Sequence, residues 1–280
     1  MLLCLLQKLL KNVKMFEEVE MNYALVTGAT GVLGTSFCRE LARRGFNLYL
    51  TGRSPDKLSA LVNELVEKYP SVGFRTFAAD LTKEEDRRAL FSDASGYSFD
   101  LLVNVAGADI QKPFLKYDEE KIIFQNRINF EAAVSLCNFA LKHRADKLKI
   151  INICSVCGLQ PMPNFALYSA CKSALIDFSV ALAVETKREN VKVTAIIPGS
   201  IYTRQDVKAY IERIGFWAKM AAKSPEYVVK KSLKASEKGR RRKIVGTLNK
   251  LIFIFSKFVP EPIKLKYIAK SRKNLEKDVF

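Results

Sequence analysis

Tyr168, Lys172 and Ser155 are the side chains of this sequence whose types and spacing offer the most chemistry. Tyr168 and Lys172 stand four residues apart in the run Tyr-Ser-Ala-Cys-Lys, so in a helix they would share one face. A cation beside a phenol stabilises the phenolate and lowers the phenol pKa from about 10 towards neutrality, which would let Tyr168 exchange a proton with a substrate. The Ser155 hydroxyl could hold a carbonyl oxygen. An isolated Tyr-x-x-x-Lys pair also occurs on helices without a catalytic role, so its meaning depends on the segments that position it.

A strand, a glycine turn and a helix follow one another near the amino terminus. Residues 23–27 form an apolar run that predicts a buried strand, and a helical pattern then continues to Arg44. Gly28, Gly31 and Gly34 stand at the junction. Glycines let the backbone turn tightly and approach a pyrophosphate, whose charge is then met by the helix N-terminus. An ordinary strand-to-helix turn is the alternative, but it needs only one glycine, so we predict a dinucleotide site.

The residues after the second and third strands indicate which dinucleotide binds. Residues 47–51 predict the second strand, and Arg53 follows it where an acidic residue would accept the ribose 2'-hydroxyl of NAD(H). Arginine favours a 2'-phosphate instead, so NADP(H) is the predicted cofactor, with a solvated loop arginine as the alternative. Asp80 and Leu81 follow the third strand, where an adenine edge could bind.

Strand patterns alternate with helical stretches along the chain, and 49% of its 280 residues are hydrophobic. This alternation predicts an α/β fold class, with one Rossmann-like, doubly wound parallel sheet in a single domain. The further predicted strands are residues 73–78, 101–105, 149–154, 192–197 and 242–245. We expect an N-terminal extension over residues 1–20, a catalytic domain over 21–246 and a basic C-terminal tail over 247–280.

Seven motifs in this order resemble the short-chain dehydrogenase/reductase family between Tyr23 and Gly246. They are Thr27-Gly28 with its glycine turn, Asp80-Leu81, Asn104-Val-Ala-Gly107, Asn129, Ser155, Tyr168-x-x-x-Lys172, and Pro198-Gly199 before Thr203. The resemblance implies an oxidoreductase whose catalytic residues are Asn129, Ser155, Tyr168 and Lys172. It also implies that NADP(H) is contacted by Gly28, Thr30, Gly31, Gly34, Arg53, Asp80, Leu81, Asn104, Ala106, Gly107, Tyr168, Lys172, Pro198, Gly199, Ile201 and Thr203.

The same resemblance implies hydride transfer between NADPH and a ketone carbon, with a role for each catalytic side chain. Tyr168 would donate a proton to the oxygen, and Ser155 would hydrogen-bond that oxygen. Lys172 would lower the pKa of Tyr168 and contact the nicotinamide ribose, while Asn129 would support a water that relays protons to Lys172.

Two features depart from the family pattern and keep alternatives open. Val105 replaces the second asparagine of the usual Asn-Asn-Ala-Gly motif, and the middle glycine of the turn is displaced to Gly31. The displaced spacing resembles an extended branch that includes sugar-nucleotide epimerases, so an epimerase or dehydratase is one alternative, disfavoured by the short chain and the Asn-x-Ala-Gly motif. A cofactor-binding sensor or membrane scaffold without turnover is another, although the complete catalytic set argues against it.

Residues 44–58 and 224–231 resemble the branch that contains 17β-hydroxysteroid dehydrogenases, very-long-chain 3-oxoacyl-CoA reductases and their bacterial relatives. This resemblance implies a hydrophobic ketone or alcohol substrate, such as a 3-oxoacyl thioester or a steroid. We also expect a homo-oligomer.

The positive charge is concentrated in the last quarter of the chain. Residues 207–280 hold 20 Lys and Arg against 6 Asp and Glu, so they carry +14 of the net +17. Within them, Leu251–Phe255 is an apolar run between Lys250 and Lys257, too short to span a bilayer. It could lie on an anionic membrane surface, or it could cap the core or a subunit interface. Nucleic-acid binding is not expected, because no recognition motif accompanies the basic run 239–243.

The amino terminus and the cysteines bear on localisation. Residues 1–20 are apolar and basic but lack a convincing cleavage site, so we do not predict a signal peptide, and Met15 or Met21 could be the true start.

Six cysteines show no disulfide-framework spacing, and Cys154 and Cys157 have no companion cluster that would complete a metal site. We therefore expect reduced thiols, no metal, and a cytoplasmic protein, with peripheral contact at the inner membrane face as an open alternative.

Overall fold

Seven strands in the described part of the chain form one parallel sheet. The computed structural model describes residues 23–202 and 216–272. Within these ranges the strands are β1 Tyr23–Thr27, β2 Asn47–Gly52, β3 Phe74–Ala78, β4 Phe99–Asn104, β5 Arg144–Ile153, β6 Val191–Ile197 and β7 Arg242–Ile244. Their order across the sheet is β3-β2-β1-β4-β5-β6-β7, and every neighbouring pair is parallel. The predicted doubly wound sheet is confirmed.

Helices connect successive strands, because parallel strands need a crossover connection between them. The α-helices in the described ranges are α1 Val32–Arg43, α2 Pro55–Lys68, α3 Glu84–Ala94, α4 Glu119–Asn126, α5 Ala132–Lys142, α6 Ala166–Glu185, α7 Phe216–Ala221, α8 Pro225–Glu237, α9 Thr247–Ser256 and α10 Glu261–Ser271. Shorter 3₁₀ segments are Phe114–Lys116, Val156–Leu159 and Lys187–Glu189, and a π-helical stretch, Arg127–Glu131, joins α4 to α5.

The predicted strands agree with the observed ones except at their ends. The largest difference is β5, which begins at Arg144 rather than Lys149. Its first residues are mostly polar and exposed, so they carry no apolar pattern, yet Arg144 still pairs with Phe99 of β4. Backbone pairing in β5 therefore extends beyond the residues whose side chains are buried in the core.

Helices pack on both faces of the sheet. Apolar side chains of α1, α2 and α8, such as Phe37, Leu65 and Val228, form the core on one face, and those of α3 and α5, such as Leu90 and Phe139, form it on the other. Among the described helices, only α6 is long and apolar enough to cross a membrane. Because α6 packs its buried side chains against β6 and buries a lysine, it is a core helix of the fold.

A row of polar residues crosses the centre of the sheet near the carboxyl ends of its strands. Thr27 of β1 is in register with Thr51 of β2 and Asn104 of β4, and Asn104 is in register with Asn152 of β5. All four are buried. Ligands of open parallel sheets bind beyond these carboxyl ends, which is where the loops place the predicted site residues.

Candidate active site

The glycine turn between β1 and α1 is shaped so that only glycine fits at two of its positions. Gly28 has a φ of +61°, and a Cβ there would lie 2.9 Å from the backbone N and Cα of Ala106. A Cβ at Gly34 would overlap the carbonyl oxygen of Gly28 and lie 3.0 Å from the Cα of Ala29. Gly31 is less constrained, since its Cβ would meet only the Gly28 oxygen, at 3.3 Å. The backbone of the glycine turn is therefore closely packed at the N-terminus of α1.

The first turn of α1 keeps its polar groups available. Its N-cap residue, Gly31, offers no side-chain hydrogen bond, and no acidic residue lies in the first turn. By contrast, α2, α4 and α8 are each capped by a side chain, namely Ser54, Asp118 and Ser224, and each has acidic residues in its first turn. Uncapped amides and an uncompensated positive helix end favour an anionic ligand at α1, as a pyrophosphate site requires.

The groups predicted to meet the adenosine half lie after β2 and β3. Arg53 follows β2 directly, is exposed, and makes no ion pair with any residue that the structure describes. Thr30 lies against Gly52, because a Cβ at Gly52 would come 3.2 Å from the Thr30 hydroxyl oxygen. The Asp80 carboxylate accepts hydrogen bonds from the backbone N and hydroxyl of Thr82, at 3.0 and 2.7 Å, and Leu81 is buried.

The loop after β4 is tied to the glycine turn, but one predicted contact points elsewhere. The Thr27 hydroxyl accepts hydrogen bonds from the backbone N of Val105 and Ala106, at 3.1 and 3.2 Å. The Asn104 amide instead donates into the interior, to Asn152 Oδ1 at 2.9 Å and to a backbone carbonyl of α5. Its position in the sheet register therefore turns the Asn104 side chain inward, and the predicted contact of Asn104 with the cofactor stays a prediction. Only its backbone borders the site.

Asn129, Gly107 and Lys172 meet beneath the loop after β4. Asn129 lies in the π-helical stretch and is fully buried; its Oδ1 accepts from the Ala108 backbone N at 3.2 Å, and its Nδ2 donates to the Ala108 oxygen at 2.7 Å. A Cβ at Gly107 would lie 3.0 Å from Asn129 Oδ1 and 3.3 Å from Lys172 Nζ. Asn129 and Lys172 therefore both lie against Gly107, where a side chain would crowd them.

Tyr168 and Lys172 lie on α6, as predicted, with Ser155 immediately after β5. The Lys172 ammonium is 5.6 Å from the centre of the Tyr168 ring and donates to the Ile153 carbonyl at 3.1 Å. The Ser155 hydroxyl accepts from the backbone N of Cys157 at 3.1 Å. The structure therefore brings three of the four predicted catalytic residues to one edge of the sheet, and Asn129 joins them through Lys172.

The electrostatics of Tyr168 differ from the sequence-based expectation. Burial raises the pKa of Tyr168 well above its usual value, and Cys157 and Asp109 raise it further, while the Ser155 hydroxyl offsets part of this effect. Burial lowers the pKa of Lys172. The expected lowering of the Tyr168 pKa is therefore not seen in this structure, because burial is the largest influence on the pKa of both groups.

The loop after β6 closes the site on the remaining side. The Pro198 carbonyl accepts from the Val156 backbone N at 3.0 Å, and Gly199 lies against Asn249 of α9, whose Nδ2 would be 2.6 Å from a Cβ there. Ile201 forms an isolated bridge with Lys223 and packs against the core. Thr203, the last predicted cofactor contact, lies outside the described residues.

Comparison with known proteins agrees with this geometry. The sequence matches the family described as short chain dehydrogenase over residues 22–212. The chain belongs to the short-chain dehydrogenase family. It is therefore an oxidoreductase that acts on a CH–OH or C=O group, and it is built to use a nicotinamide cofactor.

Several relatives of this short-chain dehydrogenase are named very-long-chain 3-oxoacyl-CoA reductase. That of Bos taurus is 33% identical over 219 residues, covering 76% of this chain and 67% of the relative. That of Rattus norvegicus is 28% identical over 270 residues, covering 90% and 84%. These matches confirm the assignment to the branch that the sequence resembles.

Several solved structures share the fold of this chain. A 7beta-hydroxysteroid dehydrogenase superposes with a TM-score of 0.76 at 22% identity, covering 89% of this chain and 96% of the other. The L-sorbose reductase of Gluconobacter frateurii, solved with NADPH and L-sorbose, superposes with a TM-score of 0.73 at 24% identity, covering 81% and 97%.

Residues that the sequence analysis missed form one wall of the site in this short-chain dehydrogenase. The Phe165 ring stacks on Tyr168 at 4.4 Å, and the Arg272 guanidinium lies 5.2 Å from the centre of the Phe165 ring. Arg272 also donates to Gln111 at 3.1 Å, and Ile268 of α10 joins the apolar cluster beside Tyr168. Phe165 and Tyr168 are close in the sequence, but Ile268 and Arg272 reach them only through the folded tail, which no local pattern reveals.

The cysteines of this family member are buried thiols. Burial raises the pKa of Cys154 to about 12 and also raises the pKa of Cys157, so neither is a reactive thiolate near neutral pH. The five cysteines in the described ranges are free. Within those ranges no group of three or more His, Cys, Asp or Glu side chains could hold a metal ion.

Proposed function

We propose that this protein is an NADPH-dependent reductase of a ketone in a hydrophobic substrate, such as a 3-oxoacyl thioester or a steroid, and can oxidise the matching secondary alcohol. The observation that carries the proposal is the meeting of Tyr168, Ser155, Lys172 and Asn129 beside the glycine turn. The apolar cluster around Tyr168 supports a hydrophobic substrate, and so do the names of the reductase relatives.

The protein's own groups would bind and orient the carbonyl and move its proton. Ser155 would hydrogen-bond the carbonyl oxygen and Tyr168 would protonate it as general acid. The raised pKa of Tyr168 keeps the phenol protonated at neutral pH and also makes it a weaker acid. Lys172 and Asn129, which meet across Gly107, would return a proton towards Tyr168 after turnover.

The residues present fit a nicotinamide dinucleotide. The uncapped first turn of α1 and the glycine positions that exclude a Cβ would hold the pyrophosphate. When bound, the nicotinamide ring supplies or accepts the hydride. Exposed Arg53 after β2 supports NADP(H) over NAD(H), because a guanidinium pairs well with a 2'-phosphate. A fold relative, the L-sorbose reductase, was solved with NADPH.

Replacement of Arg53 by Ala is expected to weaken NADPH much more than NADH. The change removes a charge-assisted contact worth about 1.5–3 kcal/mol, so the Kd of NADPH should rise by roughly 10- to 150-fold. The measurement is fluorescence titration of both cofactors. Arg188→Ala, an exposed arginine just before β6 at the opposite end of the sheet, should change neither Kd. Equal losses for NADPH and NADH would contradict the assignment.

Turnover with NADPH and a panel of substrates tests the proposed reaction. The panel holds a 3-oxoacyl thioester series of increasing chain length, 3- and 17-ketosteroids, and short polar ketones. We expect kcat/KM to rise with apolar size, because each buried CH₂ contributes about 0.8 kcal/mol. An epimerase or dehydratase remains the second candidate on account of the Gly31 spacing. Nucleotide sugars are therefore included, and conversion of these alone would overturn the proposal.

We further propose a cytoplasmic homo-oligomer. The free, buried cysteines support a reducing compartment. Small apolar residues of α6, such as Ala170, Ala174 and Ala181, are exposed along a helix that otherwise packs into the core, which supports burial of this face against a second copy.

A further inference from the structure

The last two described helices, α9 and α10, expose much apolar surface. Fifteen large apolar side chains are exposed in the described ranges, and eight of them lie between residues 251 and 267. These eight, called here the apolar tail surface, are Leu251, Ile252, Ile254, Phe255, Phe258, Val259, Ile263 and Tyr267. Phe258 is 80% exposed and Phe255 is 66% exposed, so the run does not cap the core of its own chain. Such a concentration of apolar groups on a soluble surface marks a contact site.

The charges around the apolar tail surface are almost all positive. Residues 247–272 contain six Lys or Arg and one acidic residue, Glu261. The basic residues are Lys250, Lys257, Lys264, Lys266, Lys270 and Arg272. The Lys257 ammonium lies 4.9 Å from the centre of the Phe253 ring, so charge and apolar surface are in direct contact. Apolar side chains among lysines match an anionic lipid surface, which offers acyl chains beneath negative headgroups.

Helix length argues against a membrane span by α9 or α10, and charge argues against a second copy of this chain at the apolar tail surface. A bilayer span needs about 20 residues. Since α9 has 10 residues and α10 has 11, each can lie on a membrane but not cross it. A second copy of this chain docked symmetrically on the same surface would bring two sets of lysines together with one acidic residue on each side, so like charges would oppose that contact.

We propose that α9 and α10 form a docking surface for anionic lipid membranes. The opposite side of α10 carries Ile268, which is buried in the cluster with Phe165 beside the partly buried Tyr168. Docking through the apolar tail surface therefore places the wall of the active site directly behind the lipid contact. The docking does not depend on the proposed reaction and is tested without a substrate.

Co-sedimentation with vesicles tests the docking surface. The full-length protein is expected to bind vesicles of phosphatidylcholine with phosphatidylglycerol but not phosphatidylcholine alone, and binding should fall between about 0.05 and 0.5 M salt as charges are screened. The double variant Phe255→Ser, Phe258→Ser should lose at least about tenfold in partition coefficient, because both rings lose their insertion energy. Lys257→Gln and Lys266→Gln should each lose about fivefold.

Matched variants separate the lipid contact from other effects. Val66→Ser changes an exposed apolar residue elsewhere, and Lys147→Gln removes an exposed charge elsewhere; both should bind like the parent. The melting temperature of the Phe variant should match the parent, since both rings are exposed. The proposal is overturned if the parent protein does not bind the vesicles, or if the Phe variant binds them as well as the parent does. If the parent does not bind vesicles and the Phe variant loses its oligomeric state, the surface belongs to a contact with a second copy. Loss caused only by Leu5→Ser with Leu6→Ser would move the contact to the amino terminus.

Discussion

Replacement of Tyr168 by Phe is expected to lower kcat by about 10²- to 10⁴-fold while leaving the Kd of the cofactor nearly unchanged. The substitution removes only the phenolic hydroxyl, which is the proposed general acid, and this class of catalysis contributes factors of that size. The ring remains, so its stacking on Phe165 and its contact with the Lys172 ammonium are retained. Steady-state kinetics and a cofactor titration on the same preparation provide the measurement.

The chain supplies a matched control for this variant. Tyr227 and Lys231 form a second Tyr-x-x-x-Lys pair on α8, with the Lys231 ammonium 5.1 Å from the centre of the Tyr227 ring. This pair has the same spacing as Tyr168 and Lys172 but lies on α8, which packs against α1 through Glu226 and Ser36 and not beside Ser155, so Tyr227→Phe should retain full activity. Ordinary reductase activity in the Tyr168 variant would rule out the proposed mechanism, whatever the control does.

Replacement of Gly34 by Ala is expected to damage both stability and cofactor binding. A Cβ at this position would overlap the Gly28 carbonyl oxygen, which is backbone and cannot rotate away as a side chain would. Overpacking of this kind costs about 1–3 kcal/mol or more. A chain of this size loses roughly 2–4 °C in melting temperature per kcal/mol. Displacement of Gly28 would also move the turn that is proposed to hold the pyrophosphate, so the cofactor Kd should rise sharply.

Two further glycine variants distinguish the causes. A Cβ at Gly96 would meet nothing within 4 Å, so Gly96→Ala should melt like the parent and bind the cofactor normally. Gly31→Ala meets only one oxygen, at 3.3 Å, so it should fold but bind the cofactor more weakly if the pyrophosphate lies against it. Unchanged melting of Gly34→Ala would mean that the turn is more adaptable than its contacts indicate.

Much of the fold could be predicted because local patterns determine it. The central strands were found from apolar runs, and the glycine turn was found from three glycines between the first strand and the helix that follows it. The catalytic residues were found because their spacing on one helix, Tyr168 to Lys172, is local as well. The strand ends were missed where polar residues such as Arg144 pair by backbone alone.

Other properties of the site depend on the whole structure. The pKa of Tyr168 is raised because several segments of the chain bury the side chain together, and the residues around Tyr168 in the sequence do not indicate this burial. The inward turn of Asn104 follows from its pairing with Asn152 on the next strand. Arg272 reaches Gln111 only because α10 folds back over the site. Interactions between residues distant along the chain are the part that a single sequence does not reveal.

The π-helical stretch Arg127–Glu131 constrains the number of residues between α4 and α5. A π turn holds one more residue than an α turn, and Asn129 sits inside it. Deleting one residue here would remove the extra residue that the π turn accommodates, so α4 and α5 would merge into one continuous α-helix without the wide turn that holds Asn129. The Asn129 amide would then leave the Ala108 backbone and Gly107. Homologous proteins or designed chimeras that exchange this helix must therefore conserve its residue count, even where its residue types are free to change.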